Sequence, residues 1–431
     1  MAGKGRPEGG GATHGTSRRK FLEIGSAAIG TTIAAPTIWA QNIKDIKLLQ
    51  IGGSYSNMPD IARQATKDLG FTVEMQAVDD STQINRTLTQ PQSFDINDVL
   101  MYYVPIFAGR NVVQSVDAKR YKHRDATVSV WLTGKNKDGS AVATQGGAPL
   151  KSLFYTDKSG SKVASQQTEF WTGVPSVYNA DTLGVRPDLV GAPVTSWAEL
   201  LNPRHAGKVA LVDVPTTGIM DVALALEASG QMKYVDKGNM TKEEIDKTID
   251  LMIKIKRGGH FRAFWSTFDQ SVNLMASGEV VVQSMWSPAV TAVRSRGIQC
   301  VYPGLKEGYR GWGSVLAPQA HLSGLKLDAY YEYVNWYNSG WVGSFMARQG
   351  YYSSVLSTAR TALKPDEWDF WYEGKPAVAP IVDPFGNKIA NAGDVRDGGS
   401  YWDRIGKIAV WNGRMSEDRH LTRRWNEFIS A

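Results

Sequence analysis

The most regular pattern in the chain lies between Asp269 and Arg294, DQSVNLMASGEVVVQSMWSPAVTAVR. Val272, Leu274 and Met275 mark the apolar side of a helix, Gly278 supplies its stop, and Val280 to Met285 follow as a near-continuous apolar run. A strand of that kind is buried on both faces, so the stretch reads as an α/β unit: helix, strand, then a second helix led by Ser287-Pro288. In open α/β sheets the ligand crevice lies beyond the carboxyl ends of the strands, which makes Trp286 a candidate for ligand contact. A core Trp at a strand end is the plainer reading, and the pattern alone does not separate the two.

The same alternation recurs from the start of the ordered pattern. Ile46 to Ile51 reads as a strand and Pro59 to Leu69 as a helix, with Phe71 to Val78 as the next strand. The Gly-rich turn between the first two, Gly52-Gly53-Ser54-Tyr55-Ser56-Asn57, turns backbone N–H groups toward the crevice and makes Tyr55, Ser56 and Asn57 candidates. Gly52-Gly53 does not complete a dinucleotide fingerprint, and no cofactor is expected. Asp80 to Leu88 predicts a helix and Phe94 to Val99 a strand, leaving Tyr102 at a strand end, either as half-buried packing or as cleft lining.

From Thr133 to Gln167 the chain turns polar and rich in Gly, Ser and Lys, which predicts a long surface hairpin or mobile loop that buries little. Order returns at Phe170. Ser196 is placed to cap a short helix holding Trp197 and Leu200 that Pro203 ends, and Lys208 to Asp213 resumes a strand. Thr216 or Thr217 is expected to cap the apolar helix Ile219 to Leu226, as an ordinary cap or with the first-turn N–H groups facing a polar part of a ligand. Trp265 is a second candidate wall. Leu327 to Trp341 predicts one helix whose Tyr and Trp residues pack, and Arg423 to Ile429 an amphipathic terminal helix.

Composition narrows the function classes. At 431 residues and 42% hydrophobic content the chain supports two or three lobes, and no run reaches the roughly 18–20 apolar residues of a membrane span. A single cysteine, Cys300, cannot close an intrachain disulfide, and six scattered histidines show no metal spacing, so no metal site is expected. Half of the net charge of +6 sits in residues 1–40, and the remainder does not suggest nucleic acid as a partner. Ser17-Arg18-Arg19-Lys20-Phe21-Leu22 followed by a short apolar stretch is a twin-arginine export signal, with cleavage expected after Ala40. No cysteine follows it to carry a lipid anchor, which points to the periplasm.

Three stretches in register carry a family resemblance: Tyr178-Asn179-Ala180-Asp181-Thr182-Leu183-Gly184, Thr195-Ser196-Trp197-Ala198-Glu199-Leu200, and Gly207-Lys208-Val209-Ala210-Leu211-Val212-Asp213. Together with the Gly278 to Trp286 run and Tyr309 to Pro318, they resemble periplasmic solute-binding proteins of ABC importers, in particular the spermidine/putrescine-binding type. The resemblance covers Ile46 to Ser354. It implies an α/β, two-lobed Venus-flytrap fold with hinge strands and two discontinuous lobes: 1–40 as signal peptide, 43–173 with 312–355 as lobe 1, 174–311 with 356–431 as lobe 2. It also implies a monomer that captures a small-molecule solute and delivers it to ABC permease subunits in the inner membrane, without catalysis.

The binding residues the resemblance and the pattern together nominate are Tyr55, Ser56, Asn57, Tyr102, Thr216, Thr217, Trp265, Trp286 and Trp312. Polyamine binders pair each ammonium with carboxylates, yet Ser56, Val214, Thr217 and Gly313 stand where those are expected here; Asp98, Asp213, Asp269 and Glu169 are the available substitutes. The solute is accordingly a polyamine or another small organic compound such as an amino-acid derivative, a sulfonate or a phosphonate. The alternatives are a ferric-ion carrier using the adjacent tyrosines 102–103, 330–331 or 351–352, and a secreted enzyme, for which no nucleophile elbow or phosphate loop is present.

Overall fold

A computed structural model describes residues 43–431. The export signal and its cleavage site lie outside the described residues. Strands β1 (Lys47–Gly52), β2 (Thr72–Ala77) and β3 (Ile96–Leu100) form a parallel group, with the helices Pro59–Leu69 and Asp80–Thr89 as crossovers. The predicted βαβ opening is therefore present with its boundaries shifted by a residue or two. A two-stranded ribbon, β4 (Val116–Asp117) with β5 (Phe170–Trp171), brackets the polar segment.

The chain then enters β6 (Val174–Val185), a fully buried strand of 12 residues. A second parallel group follows: β7 (Val209–Val212), β8 (Phe261–Trp265) and β9 (Val282–Met285), with β7 between the other two. The long β10 (Tyr309–Pro318) returns. The main sheet runs β2-β1-β3-β10-β6-β9-β7-β8. Among the described residues only β6 and β10 join the two parallel groups, and both joins are antiparallel: β10 pairs with β3 through Ser314 to Pro318, and β6 with β9 through Thr182 to Val185. Between these ends the two strands pair with each other, Arg310 to Leu316 against Val174 to Asp181. A pair of crossing strands carrying a parallel group at each end is the geometry of a hinge.

Local chemistry explains most of the elements. Helix Phe268–Ser277 starts with a capping box in which Thr267 and Gln270 bond reciprocally, and ends at Gly278 with φ 77°. Ser196 caps the turn Trp197–Leu201 by accepting from the Ala198 N–H, as expected. The helix predicted for Leu327 to Trp341 is instead two, Gly324–Tyr337 and Trp341–Ala347, because Gly340 takes φ 127°, a conformation open to glycine and not to the side chains around it. The apolar helix of the second group begins at Pro215, and its cap is Val214, which makes no side-chain bond. The expectation that Thr216 or Thr217 caps it is thus corrected: Pro215 takes the first helical position, where a missing N–H is harmless, and draws the start forward.

The segment 133–167 does not behave as a loop that buries little. Leu153, Phe154 and Tyr155 have no solvent exposure, Tyr155 N–H donates to Phe170 O at 2.8 Å, and Thr172 N–H to Leu153 O at 2.8 Å. Its polar composition hides a short apolar run whose backbone is paired by β5. Beyond Ser354 the chain divides. Glu367 of the helix Pro365–Trp371 pairs twice with Arg348, at 2.7 and 2.8 Å. A strand at Ile408–Trp411 instead pairs with the start of β10, and the helix Asp418–Ser430 sinks Leu421, Trp425 and Phe428 into the core around β7 and the helix Pro215–Ala228.

Candidate functional site

The turn after β1 folds back over the end of β3. A Cβ on Gly52 would stand 2.4 Å from Asn57 Nδ2 and 2.5 Å from Asp98 O, so only glycine permits the approach. The approach brings Ser56 Oγ to donate to Asp98 Oδ2, while Ser176 Oγ of β6 donates to Oδ1 at 3.1 Å and lies 2.6 Å from Ser314 Oγ of β10. Asn57 Nδ2 stands 3.5 Å from Asp98 Oδ2. Three chain segments, including both crossing strands, thus converge on one carboxylate. Asp98 has no solvent exposure, and burial raises its pKa to about 6, opposed by the hydroxyls of Ser56, Ser314 and Ser176. No cation among the described residues forms an ion pair with it.

Aromatic rings stand beside this carboxylate. Trp312 of β10 sits opposite Asn179 of β6 and meets Tyr55 edge-on at 5.1 Å and Tyr351 at 5.6 Å. The Tyr55 hydroxyl is buried beside the Ser314 hydroxyl without a hydrogen bond of normal geometry, and neither amide atom of Asn179 has a partner among the described residues. A buried amide left unpaired costs about 1–3 kcal/mol. Tyr55 feels the charges of Asp98 and of Asp80, and both, after burial itself, push its phenol pKa upward.

Asp80 belongs to a neighbouring group. Tyr102 and Tyr103 follow β3 directly, their rings 4.3 Å apart, and Tyr55 is among the groups whose charge bears on Tyr102. Burial raises the Asp80 pKa to about 6, with Tyr103 opposing and Asp79 adding to the shift. From the second parallel group Thr216 reaches the surroundings of Tyr103, and its buried hydroxyl makes no hydrogen bond of normal geometry. Thr217 is buried one position further into that helix.

The remaining two candidates pair with each other. Trp286 follows β9 at once, at the strand tip as expected, half-buried and edge-on to Trp265 at 4.8 Å. Trp265 has no exposure and packs among Ala210, Val212 and Val280, with Val214 alongside. The nine nominated residues therefore fall into three groups, of which only the first two are shown to adjoin: Tyr55, Ser56, Asn57 and Trp312 around Asp98; Tyr102 with Thr216 and Thr217; and Trp265 behind Trp286.

Of the substitute carboxylates, Asp98 alone lies in this site. Asp213 accepts the indole N–H of Trp425 at 2.8 Å, Glu169 is exposed and pairs with Lys119, and Asp269 is exposed. Asp80, Ser176, Asn179 and Ser314 were not nominated from sequence, and Tyr351 only as half of an iron-binding pair. Asn179 was visible in the Tyr178-Asn179-Ala180-Asp181 motif, but nothing in the motif told which face of β6 it occupies. Two of the adjacent tyrosine pairs are turned to separate partners. Tyr330 donates to Leu316 O at 2.8 Å, Tyr331 accepts from Asp117 N–H at 2.9 Å, and Tyr351 and Tyr352 face different neighbours, Trp312 and Tyr178. Burial raises the Tyr102, Tyr103, Tyr330, Tyr331 and Tyr351 phenol pKa values, against tyrosinate formation.

The sequence profile of bacterial extracellular solute-binding proteins matches residues 60–368, well over half of the chain. The chain belongs to that family. Solved structures agree in fold. A putative spermidine/putrescine ABC transporter from Listeria monocytogenes is 13% identical, covers 89% of this chain and 98% of its own, and superposes with a TM-score of 0.61. The spermidine/putrescine substrate-binding protein PotD from Streptococcus pneumoniae is 12% identical over 89% and 97%, with a TM-score of 0.57. The periplasmic binding protein MotA from A. tumefaciens B6, solved with glucopine, is 15% identical over 75% and 88%, with a TM-score of 0.51. No curated protein matches the sequence. The fold of this solute-binding protein is that of two-lobed binding proteins, and β6 and β10 are the strands that join its two parallel groups.

Proposed function

We propose that this solute-binding protein is the periplasmic component of an ABC importer, exported by the twin-arginine route, and that it captures a small organic amine between its lobes for delivery to a membrane permease. The observation that carries the ligand class is Asp98: a buried carboxylate on β3, met by hydroxyls of both crossing strands, without a cation, beside the rings of Tyr55, Trp312 and Tyr351. An ammonium group supplies the missing positive charge, and aromatic faces attract it further. Asp80, whose charge also bears on Tyr55, offers a second anionic contact, which suits a polyamine or an amino compound with a second polar end. A sulfonate or phosphonate would meet both carboxylates as like charges, and is the weaker reading.

The lobes are drawn as 43–173 with 312–355, and 174–311 with 356–431, rotating about β6 and β10. Binding shifts an open–closed equilibrium because contacts from both lobes are complete only when closed. The reading involves no catalysis and a single chain. Native mass spectrometry of freshly purified protein, before and after unfolding, tests it. One retained small basic mass per chain is the expected result. A protein that retains nothing and is not stabilised by putrescine, spermidine or 4-aminobutyrate overturns the amine assignment.

A further inference from the structure

The segment 133–167 and the C-terminal portion meet at one place. The Gln145 carbonyl accepts the Trp411 N–H at 3.0 Å, and its side chain accepts the Lys237 N–H at 3.2 Å. Gly146 N–H donates to Asp236 Oδ1 at 2.9 Å, while Lys151 Nζ holds the Gly146 and Thr144 carbonyls at 2.7 Å each. Gly147 N–H reaches Trp411 O at 3.3 Å. The stretch 145–147 is thereby tied to two segments, 236–238 and 411–413, that belong with the second parallel group.

The closeness of the three segments is not ordinary packing. A Cβ on Gly146 would fall 1.9 Å from Trp411 O, one on Gly238 2.3 Å from Gly146 Cα, and one on Gly413 2.9 Å from Gly147 N. Gly146 also holds φ 71°, which disfavours any other residue. One on Gly147 would stand 2.5 Å from Asn412 O and 2.8 Å from Tyr102 Cβ, so the same contact walls off the Tyr102 side of the site. Four glycines from three distant stretches interlock where backbone must touch backbone. The opposite end of the segment is anchored on the other side of the hinge, since Phe154 and Tyr155 are buried against β5.

We propose that Gln145-Gly146-Gly147 is a latch that ties the two lobes in the closed form, and that it keeps a closed population in the absence of solute. The bonds it makes run from one lobe to the other, need no ligand, and must break if the lobes part. A solute then adds to a closure already partly stabilised. The latch rests on the two-lobed hinge but not on the chemistry of the solute, so its test uses none.

Spin labels on exposed positions of each lobe, introduced as Thr89→Cys and Gln231→Cys, report the interlobe distance by pulsed electron paramagnetic resonance on ligand-stripped protein. Cys300 is buried and does not compete for label. The unmodified latch is expected to show a short, closed distance. Gly146→Val is expected to lower the closed-to-open ratio about tenfold, the scale of one or two lost hydrogen bonds, and Gln145→Ala to lower it less. Lys162→Ala, in the same segment but away from the contact, leaves the ratio unchanged. The proposal fails if the latched protein has no short-distance population, or if Gly146→Val keeps the original ratio. Should Gly146→Val not fold, Gln145→Ala decides, and an unchanged ratio there sinks the latch as well.

Discussion

Two clusters of buried charge sit against the crossing strands, and they are built differently. Around Arg310 the charges are matched: its guanidinium pairs with Asp221 at 2.6 Å and Asp181 at 3.4 Å, bonds Asn412 at 2.8 Å, and has Arg404 close enough to bear on Asp181. Burial raises the pKa of both carboxylates, and Arg310 opposes it. Around Asp98 the partners are neutral hydroxyls, and no ion pair among the described residues reaches it. Both clusters are equally dry, and both leave polar atoms unbonded, Asp221 Oδ2 in the first and the Asn179 amide beside the second. Charges paired within the protein hold the strands together, and a carboxylate with no cation is suited to one that arrives.

The sharpest break in that comparison is Arg310→Met. It strands two carboxylates in the interior and is expected to destabilise the fold by about 3–5 kcal/mol in urea unfolding; a loss under 1 kcal/mol would mean the cluster is not the clamp it looks like. Asp98→Asn should do the reverse. Stability stays within about 1 kcal/mol, while putrescine or whichever amine is retained loses about 2–5 kcal/mol of binding free energy by calorimetry.

Acidification sharpens the contrast next. In the folded chain Asp98 and Asp80 titrate near 6, above their ordinary 3.8, so the folded state keeps protons that the unfolded chain has released between those values. Ligand-free stability therefore falls as pH rises through that window and levels off above it. An ammonium ligand selects the ionised carboxylates, so its affinity is expected to drop about tenfold or more from pH 7.5 to pH 5 in parallel titrations. A pH-independent affinity would remove the carboxylates from the site. The smallest effect expected is Tyr55→Phe, which deletes a buried, unbonded hydroxyl: a gain of up to about 1 kcal/mol in thermal unfolding of the free protein, with severalfold weaker amine binding.

Much of this was legible beforehand because the signals are local. The helix Pro59–Leu69, the glycine stop at Gly278 and the Ser196 cap depend on neighbours within a few residues, and period and capping chemistry report them directly. Trp286 at the tip of β9 followed from the same logic. Where Pro215 displaced the expected threonine cap and Gly340 split a helix, the competing signal was also local: a proline suited to the first helical position, and a glycine free to leave the helical region.

Sequence alone determined the α/β units, their order and the family, because each is written in short-range periodicity or in motifs kept in register. Only the tertiary structure decided that Asp98 rather than Asp213, Asp269 or Glu169 stands at the crossing strands, that Asn179 faces Trp312, and that a polar stretch near residue 146 ties onto Trp411. Those contacts join positions from 40 to more than 260 residues apart. Burial and pairing at that range depend on how the crossing strands register against each other, and no run of neighbouring residues encodes a register.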